Sequence, residues 1–133
     1  METPKYIVIT PARNEEDNIG HTIRSMIEQT CRPLCWVIVN DGSTDRTAEI
    51  INAAAVEHSW ILPVHRTDRG FRQQGGGVVE AFKDGYKRIE SEPWSFLVKF
   101  DADLSFVPDY FEKCIHKFSE DPQLGIGGGL ICQ

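Results

Sequence analysis

Short apolar, β-branched runs alternate with segments of helical periodicity along most of this chain, and that alternation constrains the fold more than any other feature. The runs are Tyr6-Ile7-Val8-Ile9-Thr10, Trp36-Val37-Ile38-Val39, Trp60-Ile61-Leu62-Pro63-Val64 and Trp94 to Phe100. Between them apolar residues recur at helical spacing: Ile19, Ile23, Met26 and Ile27, then Ala48, Ile51 and Ala55, then Val78, Phe82, Tyr86 and Ile89. Strand and helix in strict alternation imply crossover connections, so the pattern predicts a three-layer α/β/α domain with a mostly parallel sheet. Pro108 is expected to open a further helix carrying Phe111, Cys114, Ile115 and Phe118. Pro122 and Gly125 then separate it from a glycine-rich strand, Ile126-Gly127-Gly128-Gly129-Leu130-Ile131.

The 133 residues are read as one domain, with no repeat, linker or low-complexity stretch, and 41% hydrophobic residues supply a core. An end inside or just after a buried-looking strand reads as that of a fragment of a longer protein. A net charge of -6 leaves no broad cationic surface for nucleic acid or an anionic membrane. No apolar stretch approaches the roughly 18 to 20 residues of a membrane span, and the expected location is the cytoplasm. Cys31, Cys35, Cys114 and Cys132 have neither Cys-x-x-Cys nor Cys/His spacing and are read as reduced thiols in a core.

Chemistry is expected where the strands end. Asp101-Ala102-Asp103 follows the fourth run, and two carboxylates one residue apart at a sheet rim suit a divalent cation holding a diphosphate. Acidic turn residues at a strand end would look the same. After the first strand, Pro11 to Asn18 contains no glycine, which argues against a dinucleotide site, where the backbone must approach a pyrophosphate. In that loop Glu16 and Asp17 are read as complementing the dipole of the next helix. After the second strand, Asn40-Asp41-Gly42-Ser43-Thr44-Asp45 combines a tight turn with residues able to cap a helix. Asp41 is not explained that way, and at a strand's carboxyl end it can accept the ring N–H of a nucleobase.

The third strand leads into His65-Arg66-Thr67-Asp68-Arg69-Gly70-Phe71-Arg72-Gln73-Gln74-Gly75-Gly76-Gly77, which reads either as an anion-binding entrance or as a mobile loop. His21, His58, His65 and His116 share no ligand spacing and are read as structural or solvated. Glu80, Asp84, Lys87 and Arg88 are read as a charged helix face.

Taken together, Pro11-Ala12-Arg13-Asn14-Glu15-Glu16, Val39 to Asp45, the glycine-rich stretch running into Ala81 and Gly85, and Asp101-Ala102-Asp103 resemble the amino-terminal, nucleotide-sugar-binding part of family 2 glycosyltransferases. The fold so implied is the Rossmann-like GT-A fold. The activity implied is an inverting transfer from a UDP- or GDP-linked sugar to a saccharide or lipid-linked acceptor, with Mn2+ or Mg2+ on the diphosphate. By the same resemblance Pro11, Arg13 and Glu15 line the nucleoside pocket and Asp41 binds the base. Arg66 lies near base or phosphates, Asp101 binds ribose or sugar, and Asp103 binds the metal. The likeness further implies a general base beyond residue 133 and, for a lipid-linked acceptor, a place at the inner face of the membrane.

Two positions depart from the usual pattern: Arg13 stands where an aromatic residue is common, and Gln74 to Gly77 where Gly-Lys-Gly is common. Asp101-Ala102-Asp103-Leu104-Ser105 also resembles polyprenyl-phosphate mannosyltransferases. The alternatives are a nucleotide-sugar-binding module without turnover and a sugar-1-phosphate nucleotidyltransferase. The latter would carry a glycine-rich signature after the first strand, which is absent.

Overall fold

Four strands and four helices alternate along the described residues: β1 (Tyr6–Ala12), α1 (Ile19–Ile27), β2 (Cys35–Asp41), α2 (Thr47–Glu57), β3 (Ile61–Arg66), α3 (Gly76–Ile89), β4 (Phe96–Lys99) and α4 (Tyr110–Glu120). The computed structural model describes residues 5–66, 76–89 and 96–120, with the side chains of 76–82 and 118–119 excepted. The expected glycine-rich strand Ile126 to Ile131, Cys132 and the loop 67–75 lie outside them.

Among the described residues every strand pair is parallel, and the spatial order is β3-β2-β1-β4. The chain winds outward from β1 through β2 to β3, then returns to the other side of β1 for β4. The order therefore reverses between β1 and β4, and crevices at the carboxyl ends of such strands are where open α/β sheets take ligands.

Alternation along the strands sorts the core into two layers. Tyr6, Val8, Trp36, Ile38 and Ile61 face one side, packed with Ile19, Ile23 and Met26 of α1, Ile51 of α2, and Phe111 and Ile115 of α4. Ile7, Ile9, Val37 and Val39 face the other, with Ile89 and Tyr86 of α3. Helices thus cover both faces, which is why the central strands read as unbroken apolar runs. Gly85 is needed for this: a Cβ there would lie 2.7 Å from Ile9 Cγ2 and 3.0 Å from Val39 Cγ2, so α3 rests directly on β1 and β2.

Four boundaries differ from the sequence expectation, three strand ends and one helix start. The strands run further, β1 to Ala12, β2 to Asp41 and β3 to Arg66, because parallel pairing continues through Ala12↔Asn40, Asn40↔His65 and Asp41↔Arg66. Helix α4 begins at Tyr110, two residues past Pro108. Its entry is fixed from outside: Gln29 donates to the Val107 carbonyl at 2.7 Å and accepts the Phe111 N–H at 3.1 Å, while the Thr30 N–H donates to the Pro108 carbonyl at 2.8 Å.

Candidate functional site

Two clusters of polar groups meet the sheet's carboxyl edge on either side of β1. The first joins the loop after β1 to the loop after β2. Asn14 has φ 52°, a left-handed backbone that asparagine tolerates better than most residues. So placed, its N–H donates to Ser43 Oγ at 3.0 Å and its Oδ1 accepts the Thr44 N–H at 2.9 Å. The N–H of Glu15 donates to Thr47 Oγ1 at 2.9 Å, that of Glu16 to Asp45 Oδ2 at 3.2 Å, and Glu16 Oε2 accepts the Arg46 N–H at 3.2 Å. Gly42, at φ 66°, makes the turn that brings these groups into reach.

Asp45 therefore serves both loops. Its Oδ1 accepts the backbone N–H of Thr47 at 2.9 Å and the Thr47 hydroxyl, one residue ahead of Arg46, the N-cap of α2, which itself has no side-chain cap. Burial pushes its carboxyl up, but the hydrogen bonds from Thr47 and the Glu16 N–H outweigh that and hold it below the usual value. Glu16 complements the start of α2 rather than α1, whose first turn holds no acidic residue, a correction to the dipole reading above.

Asp41 and Arg66 end β2 and β3 as register partners. Their side chains project to the face covered by α3, and Arg66 Nη1 donates to Asp41 Oδ1 at 2.9 Å. Arg66 Nε also meets Asp84 Oδ2 of α3 at 2.8 Å. Arg13 Nη1 donates to the Asp41 carbonyl at 3.3 Å. On the opposite face Asn40 Nδ2 lies 3.0 Å from His65 Nδ1, and His65 Nε2 lies 2.9 Å from Asn52 Oδ1 of α2, which makes His65 structural, as read. Asn40 Oδ1 in turn accepts the Ser43 N–H at 3.2 Å.

The second cluster follows β4. Past the strand the alternation of sides persists: Phe100 and Ala102 are buried, Asp101 and Asp103 exposed. Phe100 packs on Trp36, Phe106 and Phe111 at ring separations of 5.7, 4.8 and 6.1 Å. The Ala102 carbonyl accepts the buried Thr22 hydroxyl of α1 at 2.8 Å. One intervening residue is therefore what turns both carboxylates outward from an anchored backbone. Lys99 Nζ meets Asp101 Oδ1 at 2.8 Å in an exposed pair, and Asp103 makes no hydrogen bond or ion pair among the described residues.

The donor set fits a hard cation held in common with a ligand. Among the described residues no third His, Cys, Asp or Glu joins this pair. Two carboxylates with phosphate oxygens and water suit Mg2+ or Mn2+, while a dedicated all-protein cage would need more ligands.

Of the residues expected at a site, Arg13, Asp41 and Arg66 are joined by direct contacts, and Pro11 and Glu15 belong to β1 and the clasped loop after it. Asp101 and Asp103 stand across β1 from them, after its other neighbour. Asn14, Thr22 and Thr47 carry structure that their sequence context did not signal. Asp84, read as part of a charged helix face, turns to Arg66 on the sheet; the spacing along α3 could not reveal that partner. Among the described residues Cys31, Cys35 and Cys114 form no disulfide with one another, and burial pushes the Cys31 and Cys114 thiols up.

No helix among the described residues is long and apolar enough to cross a membrane. Over the whole sequence, EpsH of Bacillus subtilis (strain 168), which bears the name of a glycosyltransferase, is 28% identical across 126 residues, 95% of this chain and 34% of that protein. In structure, TarS 1-349 of S. aureus in complex with UDP superposes with a TM-score of 0.70 at 21% identity over 97% of this chain and 38% of that one. The mannosyltransferase PcManGT from Pyrobaculum calidifontis, in complex with GDP-Man and Mn2+, does so with a TM-score of 0.58 at 22% identity over 80% of this chain and 29% of that one. These two likenesses are of fold, the GT-A arrangement. The chain spans about a third of the length of EpsH. The model of the family described as "Glycosyl transferase family 2" matches residues 7–132, and the chain belongs to that family.

Proposed function

We propose that this chain is the nucleotide-sugar-binding domain of an inverting, metal-dependent glycosyltransferase. The observation that carries the reading is the placement of two unlike polar clusters on either side of β1 at the switch in strand order, one built of internally paired groups and one of exposed carboxylates. A nucleoside-diphosphate sugar offers two such parts, a heterocycle with directional donors and a dianionic diphosphate.

In this reading Asp41 accepts the ring N–H of the base, and Arg13, Glu15 and Pro11 line the nucleoside pocket. Arg66 orients Asp41, Asp101 accepts hydroxyls of the ribose or sugar, and Asp103 holds Mn2+ or Mg2+. The cation, when bound, neutralises charge growing on the departing diphosphate. The chain's own part is to hold the donor so that its anomeric carbon is open to attack from one side.

No residue of this chain is assigned as the general base that takes the acceptor proton. Asp109 pairs with Lys113 at 3.1 Å and Glu112 Oε2 accepts the Thr30 hydroxyl at 3.1 Å, so both serve the α4 junction. The base is placed, as part of the proposal, in sequence beyond residue 133, and the acceptor is a saccharide or a lipid-linked group at the cytoplasmic face of a membrane.

The testing experiment is titration calorimetry of the chain with UDP and with GDP, each with and without Mn2+. Binding of a nucleoside diphosphate that Mn2+ strengthens supports the proposal. Absence of binding to both, with metal present, would sink it.

A further inference from the structure

Asp84 is the group at this edge that the proposed reaction leaves without a task. It lies on α3 immediately before Gly85, the residue whose missing side chain lets the helix touch β1 and β2. That contact brings the Asp84 carboxylate to the sheet, where Oδ2 meets Arg66 Nε at 2.8 Å. Arg66 Nη1 reaches Asp41 Oδ1 at 2.9 Å, and the Arg66 and Asp41 side chains are only 15% and 12% exposed. A guanidinium is planar, with its donors in a rigid fork, so a carboxylate fixed on Nε also fixes the direction of Nη1. Asp41 is left with one oxygen engaged and the other, Oδ2, without a hydrogen bond among the described residues.

Resting on the assignment of Asp41 to the base, we propose that Asp84 is a positioning residue which, through Arg66, commits one oxygen of Asp41 and makes the pocket select uracil over guanine. Guanine presents two adjacent donors, N1–H and the exocyclic amine, which a carboxylate satisfies only with both oxygens. With Oδ1 already accepting from the guanidinium, one of those donors meets an acceptor that keeps a single lone pair and whose charge is countered, at a largely buried site where a poorly paired polar group is costly. Uracil presents a single imide N–H between two carbonyls and needs Oδ2 alone. Its carbonyl on the Oδ1 side then approaches an oxygen whose charge is countered by the guanidinium.

The test is calorimetric affinity for UDP and GDP in the absence of metal, for the native chain and for Asp84→Asn, Asp84→Glu and Arg66→Lys. The native chain is expected to prefer UDP by about tenfold or more. Asp84→Asn and Arg66→Lys are expected to bring the UDP:GDP ratio to within about threefold, because Oδ1 is released, and Asp84→Glu to recover part of the preference. A merely structural Asp84 would lower the melting temperature and both affinities together with the ratio unchanged, and that result overturns the inference. Equal affinity or a GDP preference in the native chain overturns it as well, while leaving the nucleotide-binding reading standing. Failure of the native chain to bind either nucleotide in the presence of Mn2+ removes both.

Discussion

The two sides of β1 solve different problems with the same element, the end of a parallel strand. Beyond β2 and β3 the polar groups are spent on one another: Asn14 on Ser43 and Thr44, Glu15 on Thr47, Asp41 on Arg66, Arg66 on Asp84. Beyond β4 only the backbone and the inward residues are held, by Thr22 and the Phe100 cluster, and the carboxylates face solvent. The first arrangement suits a rigid heterocycle, whose donors can be met by prepaid geometry. The second suits a metal diphosphate, whose charge and coordination the ligand itself completes.

The difference can be broken at several points. The largest effect is expected from Phe100→Ala, which empties the aromatic cluster under the Asp101/Asp103 segment and should cost about 3–5 kcal/mol in denaturant unfolding. Asp101→Asn, at the next residue and on the exposed side, should stay within about 0.5 kcal/mol of the native value. Equal losses in the two variants would mean that the carboxylates are part of the packing.

Asn14→Ala should cost about 1–2 kcal/mol, since it loses the Thr44 contact and puts a β-carbon residue without a polar partner at φ 52°. Asn14→Gly relieves the backbone part alone and should recover about half of that loss. If alanine and glycine behave alike, the left-handed backbone contributes nothing measurable.

On the other side, Thr22→Val removes the hydroxyl beneath the Ala102 carbonyl and should cost about 1 kcal/mol. It should also weaken Mn2+-dependent nucleotide binding without touching the metal-free component. A loss in metal-free affinity of the same size would show that the two sides of β1 are coupled.

The smallest effect concerns pH. The Asp45 carboxyl is held below its usual value in the folded chain, so its unfolded form takes up protons first as the solution is acidified. Its contribution is therefore complete above the ordinary carboxylate range and fades as pH falls through the lowered folded value. Asp45→Asn replaces one of two accepting oxygens with a donor, so it should lower the melting temperature slightly at neutral pH, where the contribution is complete, and converge on the native chain toward about pH 3, flattening the acid limb. An unaltered acid limb would remove the two-loop role of Asp45.

Much of this contrast could be read from the sequence, for physical reasons. Strands buried on both faces announce themselves as β-branched runs, so Tyr6 to Thr10 and Trp36 to Val39 were legible, and with them the α/β winding and the three layers. The strand ends were read short because Asn40, Asp41, His65 and Arg66 are residues that sheets otherwise disfavour. Here pairing carries them on. Asp101-Ala102-Asp103 is legible as a pair of exposed carboxylates at a strand end because its spacing and its apolar neighbours agree. The partner of Asp84 was not legible because sequence spacing sees partners on one helix and not on the sheet beneath it. The left-handed Asn14 gives no sign beyond its residue type.

The proposed division of labour across β1 stands or falls on one calorimetric comparison: UDP affinity with and without Mn2+ for Asp41→Ala and Asp103→Asn. Asp41→Ala should lose roughly 1.5–3 kcal/mol of binding in both conditions, while Asp103→Asn should match the native chain without metal and gain nothing from Mn2+. Retention of the full Mn2+ enhancement in Asp103→Asn, or its loss in Asp41→Ala, would contradict the account.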